Sequence, residues 1–492
     1  MKKLLALLLV LVMSIGCLAG CGKKDDNNTP AGGEELEHVN LVMYLIGSKP
    51  NDYDKAIEEL NKLLKEDINA TVEVRWMSWG DYGQKYPVLM AAGEEFDLIY
   101  SVDWNKYAQY SRDGGYMDIT ELLPVYAPKS FAALDETQKD LVRVDGKMYA
   151  LPANATEVNP GGYVVRGDLM KKYGMDTISS FDDFMDYLKA VKENESGLMP
   201  IAAAGNETMF EFKWGTIGTS NIVYNYGTRE FDKLFYRYDN AEFLHMLDRM
   251  REGYENGYWS KDVVMNTVAS KDAFLAGTSA AATCNLKNFN ELRQKADPSW
   301  DVQWYPKTGD MKNCLKTGSQ MMSVAASSKN PERALMFLEL LNTDSRYYNL
   351  TTYGIEGVHF VINSEGKYDF PEGVTLENTG FTPDGAGNWG WNSNALALEL
   401  GYAWEGEKAI KEDMVKNGAW SAYLGFAFDN TPVSNEIAAV NAVNSEYWIP
   451  LSWGLVEVES GVKKWVEQLE NAGIGKIMDE VTKQTQEFLK NK

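Results

Sequence analysis

The side chains that most often hold metals or move protons are His, Cys, Asp and Glu, and their spacing here argues against such chemistry. His38, His245 and His359 have no Cys or His neighbour at metal-ligand spacing, so a zinc site is not expected. No G-x-S-x-G elbow, H-E-x-x-H helix or P-loop occurs, which removes the readable signatures of a nucleophile, a metalloprotease and a nucleotide hydrolase. Gly385-Ala386-Gly387-Asn388-Trp389-Gly390 matches G-x-G-x-x-G. It neither follows a clear strand nor opens an amphipathic helix, so it reads as a glycine-rich loop. Asp384 and Asn388 lack the spacing and terminal Glu of a calcium loop. With 71 acidic residues, some carboxylate pair is available almost anywhere. Glycosidase chemistry would need two of them about 5–10 Å apart, a distance that one sequence does not give. No catalytic residue, metal or cofactor is therefore expected.

Aromatic residues carry more information. The 14 Trp and 27 Tyr supply more flat amphipathic surface than a core of this size needs. Their rings are apolar on the face and carry a hydrogen-bonding handle on the Trp N–H or Tyr O–H. A pyranose has matching parts, C–H patches on its faces and hydroxyls around its rim. Core packing remains the better reading for Trp76, which strand alternation turns inward, and for Trp465 on its helix.

Which aromatics could meet a ligand depends on the elements that carry them. Val39 to Ile46 is almost continuously apolar, as in a parallel strand covered on both faces. Tyr53, Ile57, Leu60 and Leu64 then form one helical stripe. Thr71 to Met77 alternates, Tyr82 to Ala92 is helical despite Pro87, and Phe96 to Tyr100 is a third strand. This β-α-β-α-β series predicts a parallel sheet clothed by helices. Asp145-Gly146 marks a tight hairpin, Pro152-Ala153-Asn154 breaks the pattern, and a second series begins at Gly162. Gln320 to Ala326 reads as a strand, and Asn330-Pro331 as an N-cap and first helical residue. Ile474, Ile477, Val481 and Phe488 share one face of a C-terminal helix. Ligands of open α/β sheets bind outside the carboxyl ends of the strands. That places Trp79 and Tyr82 after the second strand and Asp103 and Trp104 after the third. Asn154 lies at the crossing, Trp214, Trp389 and Trp391 are loop aromatics, and Glu356 is a further acceptor candidate.

The 492 residues, 45% apolar and 24% charged, describe a chain of more than one domain with a large core and exclude bulk disorder. A formal charge of −23 repels phosphate backbones and anionic lipid, so nucleic acid is excluded as a partner. Lys2 and Lys3, an apolar run from Leu4 to Met13 and Leu18-Ala19-Gly20-Cys21 have the order of a signal peptide over residues 1–20. Leu-Ala-Gly-Cys resembles the bacterial lipobox, which would make Cys21 a lipidated N-terminus and residues 21–37 a flexible tether. No later segment is long and apolar enough to span a bilayer. The expected membrane contact is thus a lipid anchor on the outer face of a bacterial cell membrane. Cys284 and Cys314 are left as either a disulfide or two thiols.

The lipobox, Asn330-Pro331-Glu332-Arg333-Ala334 and Tyr353-Gly354-Ile355-Glu356-Gly357 resemble the family 1 extracellular solute-binding lipoproteins of bacterial ABC importers. Phe428-Asp429-Asn430-Thr431-Pro432-Val433, Asn435-Glu436-Ile437-Ala438-Ala439-Val440 and Ala472-Gly473-Ile474 are similar to their DUF3502, LipO-like subgroup. The resemblance implies an α/β, two-lobed, type II periplasmic-binding-protein-like fold with a cleft between the lobes and a helical C-terminal region. It places one lobe at 39–152 plus 318–365 and the other at 154–317 plus 366–492. It implies a monomer that captures an oligosaccharide by hinge closure and delivers it to permease subunits without catalysis. Two alternatives stay open. A peptide or amino acid ligand would need a cation, with Arg166 and Lys213 as candidates, and a surface glycoside hydrolase would cleave what it binds.

Overall fold

The computed structural model describes residues 36–155, 159–225, 233–309, 320–383, 385–421, 423 and 425–490. The leader, the lipobox with Cys21, the tether to residue 35, Asp384 and Cys314, the expected alternative partner of Cys284, lie outside the described residues. Residues 38–492 form one unit. No described helix is long and apolar enough to cross a membrane.

Val39–Ile46 (β1), Tyr53–Ile68 (α1), Ala70–Met77 (β2), Trp79–Ala92 (α2) and Leu98–Val102 (β3) alternate as the periodicity predicts. Leu41, Met43, Leu45 and Ile46 of β1 are fully buried, and α1 turns Tyr53, Ala56, Leu60, Leu64 and Ile68 inward at three- and four-residue steps. After Tyr107–Arg112 (α3) and Ala150–Pro152 (β4), the chain crosses to a second set of strands. These are Gly161–Arg166 (β5), Met199–Ile201 (β6), Trp214–Ile217 (β7), Thr219–Asn225 (β8), Leu234–Tyr236 (β9), Ser279–Asn285 (β10) and Val302–Pro306 (β11). It then returns as Gln320–Val324 (β12) and Pro331–Thr343 (α4), and ends in Ser434–Ser452 (α5), Val458–Asn471 (α6) and Ile474–Lys490 (α7).

The first sheet has the order β2-β1-β3-β12-β4 and the second β11-β5-β10-β6, with β9-β8-β7 as a separate meander. Register fixes where the chain passes between them. Gln320 pairs with Val102 and Met321 with Pro152, so the chain leaves and re-enters the first sheet at the carboxyl end of β1–β3. Gly161 pairs with Asn285 and Gly162 with Pro306. Both passages therefore join one end of each sheet, the place where an open α/β sheet binds its ligand.

Each sheet has its own core. The first gathers β1–β4, α1, α2 and α4, and the second joins Tyr163, Phe184, Leu188, Phe243 and Leu247 to Trp465, Ile477 and Val481 of the C-terminal helices. Residues 368–402, assigned to the second lobe from sequence, pack against the first core instead. Tyr368, Phe381 and Trp391 are buried there, with Phe370, Leu398 and Tyr402 against them. A third passage falls at 402–404, where Trp404 meets Phe289 of the other body edge-on at 5.1 Å. Asn330 holds the N-cap position of α4 but makes no side-chain cap. Its amide points at Asp97 Oδ1, 3.4 Å away, where Ser328 Oγ already donates at 2.7 Å.

Candidate functional site

Three indoles line up at the carboxyl ends of the parallel strands. Ser78, in extended conformation directly after β2, caps α2 by accepting the Asp81 N–H at 3.2 Å, which makes Trp79 the first helical residue. Trp79 is therefore held above the sheet and 50% exposed. After β3, Asp103 Oδ1 accepts the Trp104 N–H at 2.6 Å. Lys106 then turns the chain into α3 with a left-handed φ of 57°, a conformation that costs a residue with a Cβ about 1–2 kcal/mol. Trp104 is left 59% exposed. The Trp79 and Trp104 rings stack at 6.3 Å with 28° between planes, and Trp389 meets Trp79 at 5.3 Å with a tilt of 44°.

What lies beneath this row is rigid. Tyr82 packs edge-on to both Trp79 and Trp104, and Tyr86 hydrogen-bonds Tyr116 Oη at 2.6 Å and donates to the Tyr100 carbonyl at 3.1 Å. Burial pushes the hydroxyls of Tyr82, Tyr86 and Tyr116 upward, so all three stay protonated. Tyr100 presents its edge to Trp389 at 5.7 Å and bonds Gln320 at the returning crossing.

The glycine-rich loop explains how Trp389 gets there. Gly387 has φ +67°, and a Cβ on it would sit 2.8 Å from the Trp76 ring. A Cβ on Gly390 would lie 2.5 Å from Met322 Sδ and 3.0 Å from the Met321 carbonyl. The loop is glycine-rich because its backbone lies directly on the sheet, which drops Trp389 onto the strand ends. Gly390→Ala should cost about 1–3 kcal/mol through overpacking and should weaken ligand affinity as Trp389 is lifted. Urea unfolding and a ligand titration on the same variant measure both, and unchanged values for both would refute this role of the loop.

Other expected residues sit elsewhere. Trp214 lies on β7, 7% exposed, stacked on Phe212 at 4.1 Å inside the second core. Trp391 is fully buried and its indole N–H donates to Thr351 Oγ1 at 3.1 Å. Glu356 is exposed in a turn where the Ile355 N–H donates to His359 Nδ1 at 2.9 Å and the Gly357 N–H to the Phe360 carbonyl at 2.7 Å. Asn154 is half-buried at the crossing, bridged to Ser393, and its carbonyl accepts the Asn394 N–H at 3.3 Å. The cations that a peptide carboxylate would need are engaged. Arg166 is held by Asp168 at 2.6 Å and lies over Trp300, and Lys213 faces Glu242 at 3.9 Å. Sequence reasoning missed Tyr100 and Gln320, whose contact joins residues 220 positions apart.

A concavity of about 440 Å³ lined by Arg293, Gln294, Tyr402 and Trp404 lies at the third passage. Its rings are committed to neighbours, Tyr402 stacked on Phe370 and Trp404 against Phe289, so it offers no free platform. Among the described residues no group of three or more His, Cys, Asp or Glu could hold a metal.

Comparison with known proteins agrees with this geometry. The family model described as bacterial extracellular solute-binding protein matches residues 47–345, and that of DUF3502, a domain of unknown function, matches 422–490. A carbohydrate ABC transporter substrate-binding protein of Streptococcus pneumoniae is 27% identical over 486 residues, 96% of each chain. Lipoprotein LipO of Bacillus subtilis is 23% identical over 386 residues, 73% of each chain. The crystal structure of an N-glycan transport solute-binding protein from Streptococcus pneumoniae with bound Man1GlcNAc shares the fold. Its TM-score is 0.77 at 23% identity, covering 92% of this chain and 100% of that one.

Proposed function

The chain belongs to the bacterial extracellular solute-binding protein family, and on that premise we propose that it is the carbohydrate-capturing component of an ABC importer. The observation that carries this reading is the row of three indoles at the strand ends, two of them at least half exposed. Exposed stacked rings cost solvation unless something flat and partly apolar covers them. A run of pyranoses fits that description, and its hydroxyls would meet Asp103 beside Trp104. The first body holds the platform. The second closes over it, and closure is favoured only by contacts the closed state adds to the ligand. The sugar then leaves unaltered for the permease. We propose further that the chain acts as a monomer, and that Cys21 carries a lipid which keeps it near the transporter.

Titrating neutral and acidic oligosaccharides, beginning with mannose–N-acetylglucosamine oligomers, should quench or shift Trp fluorescence and raise the melting temperature. A ligand at 100 times its Kd stabilises by about 2.7 kcal/mol. Silence across pentose, hexose and uronic-acid oligomers would remove the carbohydrate reading, and shortened sugar after prolonged incubation would replace it with the hydrolase. Mass spectrometry of whatever copurifies with the protein would name the ligand directly.

A further inference from the structure

The first residues of the region matched by DUF3502 touch both bodies. Tyr423 and Val433 are buried in the second core, so both ends of the segment between them are anchored in that body. Within that segment, Phe426, Ala427 and Phe428 alternate between the two cores as an extended chain does. Phe426 and Phe428 pack against the second core, whereas Ala427 between them packs against the first. The Ala427 carbonyl accepts from Arg112 Nη2 at 3.0 Å. Arg112 ends α3, the helix that follows Trp104, and Asp145 holds its guanidinium through two bonds of 3.0 and 3.1 Å. Gly425, at φ +76°, lies so close to the first body that a Cβ would be 2.6 Å from the Asp140 carbonyl. Asn430 reaches Gln109 on α3 at 3.5 Å, and Gln484 of α7 grips both the N–H and the carbonyl of Asp429.

We propose that residues 425–430 are a strap that sets the orientation of the second body over the indole row, and that Arg112, which holds its middle, is a positioning residue for ligand capture. This rests on the carbohydrate reading only for what is captured. The bodies are joined elsewhere by three chain passages. Any rotation between them must either carry the strap along or break the bond from Arg112 to Ala427. In the engaged arrangement the Tyr224 ring of β8 meets Tyr423 edge-on at 4.9 Å and its hydroxyl bonds Ser421 Oγ at 2.8 Å, so the chain leading into the strap is fixed to the second body. The strap thus favours the arrangement in which the second body faces the platform. Releasing it spreads the ligand-free protein over orientations that do not bind, which lowers apparent affinity by the fraction lost.

The test compares wild type with Arg112→Met, Arg112→Lys, Asp145→Asn and Trp104→Ala. Ligand-free small-angle scattering and hydrogen exchange of residues 425–430 read the strap, and titration with a mannose–N-acetylglucosamine oligosaccharide reads capture. Arg112→Met should broaden the scattering-derived size distribution, speed exchange in the strap and weaken binding about tenfold, within the usual range of such couplings. Arg112→Lys should recover part of each effect. Trp104→Ala should weaken binding by the smaller share of the loss expected for the indole pair while leaving scattering and exchange at wild-type values. Asp145→Asn, at an exposed carboxylate, repeats the Arg112→Met pattern in weaker form if that variant fails to fold. Wild-type scattering and exchange in both Arg112→Met and Asp145→Asn would overturn the proposal, as would tighter binding. If no sugar binds the wild type, the carbohydrate reading falls and the ligand-free measurements alone decide the strap.

Discussion

Replacing Trp79 and Trp104 together by alanine is expected to weaken oligosaccharide binding by at least about 100-fold while leaving the fold intact. Buried aromatic anchors in binding sites commonly contribute about 2 kcal/mol or more each, roughly a factor of 30. The two rings stack on each other at 6.3 Å, so their losses will not add fully. Stability should fall by no more than about 1 kcal/mol, because surface substitutions away from cores and caps usually stay small and both rings are at least half in water. Trp79→Ala should cost the larger share of that loss, since both rings touch Tyr82 but Trp79 also meets Trp389. Calorimetric titration beside a urea melt of each single and double variant checks this. If the double variant retained wild-type affinity, the ligand would sit elsewhere and the platform assignment would be wrong. Trp104→Phe should keep most of the affinity, because a smaller ring still presents an apolar face.

The exposed placement of the pair at the strand ends was legible in the sequence because position, not residue type, selected it. The nearly continuous apolar run of β1 and the alternation of β2 marked where the parallel strands stop, and ligands gather at such stops. The helix Pro331–Thr343 was equally legible, since Asn330-Pro331 marks its start with Pro in the first turn. Trp214 misled because a loop and a four-residue strand look alike at that length. Only the structure shows the ring of Tyr224 lying where a side chain on Gly215 would be, which marks a packed strand pair. Trp391 misled for the opposite reason, because a glycine-rich loop normally stays outside and this one dives onto the sheet. Its indole N–H finds an acceptor in Thr351, 40 residues earlier, and no local pattern announces such a partner. The same limit put 368–402 in the wrong body: periodicity tells that Tyr368 and Phe381 are buried, but not against which core. The glycines did hold one unread signal. Spacing of Gly387 and Gly390 around Trp389 is what a backbone needs to approach a sheet closely, and it could have raised Trp389 above Trp391.

A second large effect concerns how the C-terminal helices are fastened. Arg237 follows β9, is 7% exposed, and has no carboxylate beside it in the described residues; its Nε and Nη2 find no acceptor there. Its guanidinium lies 4.1 Å from the ring centre of Trp448 on α5, 4.9 Å from Trp465 on α6 and 5.5 Å from Phe243. Burial alone pulls its pKa down to about 9, the sign of a charge held without compensation by an anion. Two opposed quantities set its worth. Stacking of a desolvated guanidinium on Trp contributes about 2 kcal/mol or more per face, whereas burying an unpaired ion costs several kcal/mol. Arg237→Ala should lose about 3 kcal/mol, because the cage collapses onto a cavity. Arg237→Lys should lose about as much, since a compact, strongly hydrated ammonium cannot lie flat between two indoles. Arg237→Met keeps the volume and removes the charge, and should fall within about 1 kcal/mol of wild type or exceed it, as other buried ions replaced by apolar groups have done. Urea unfolding followed by Trp fluorescence separates these outcomes by midpoint at constant slope. A Met variant as unstable as the Ala variant would mean that the cation itself, stacked on Trp448 and Trp465, is what fastens the helices to the second core.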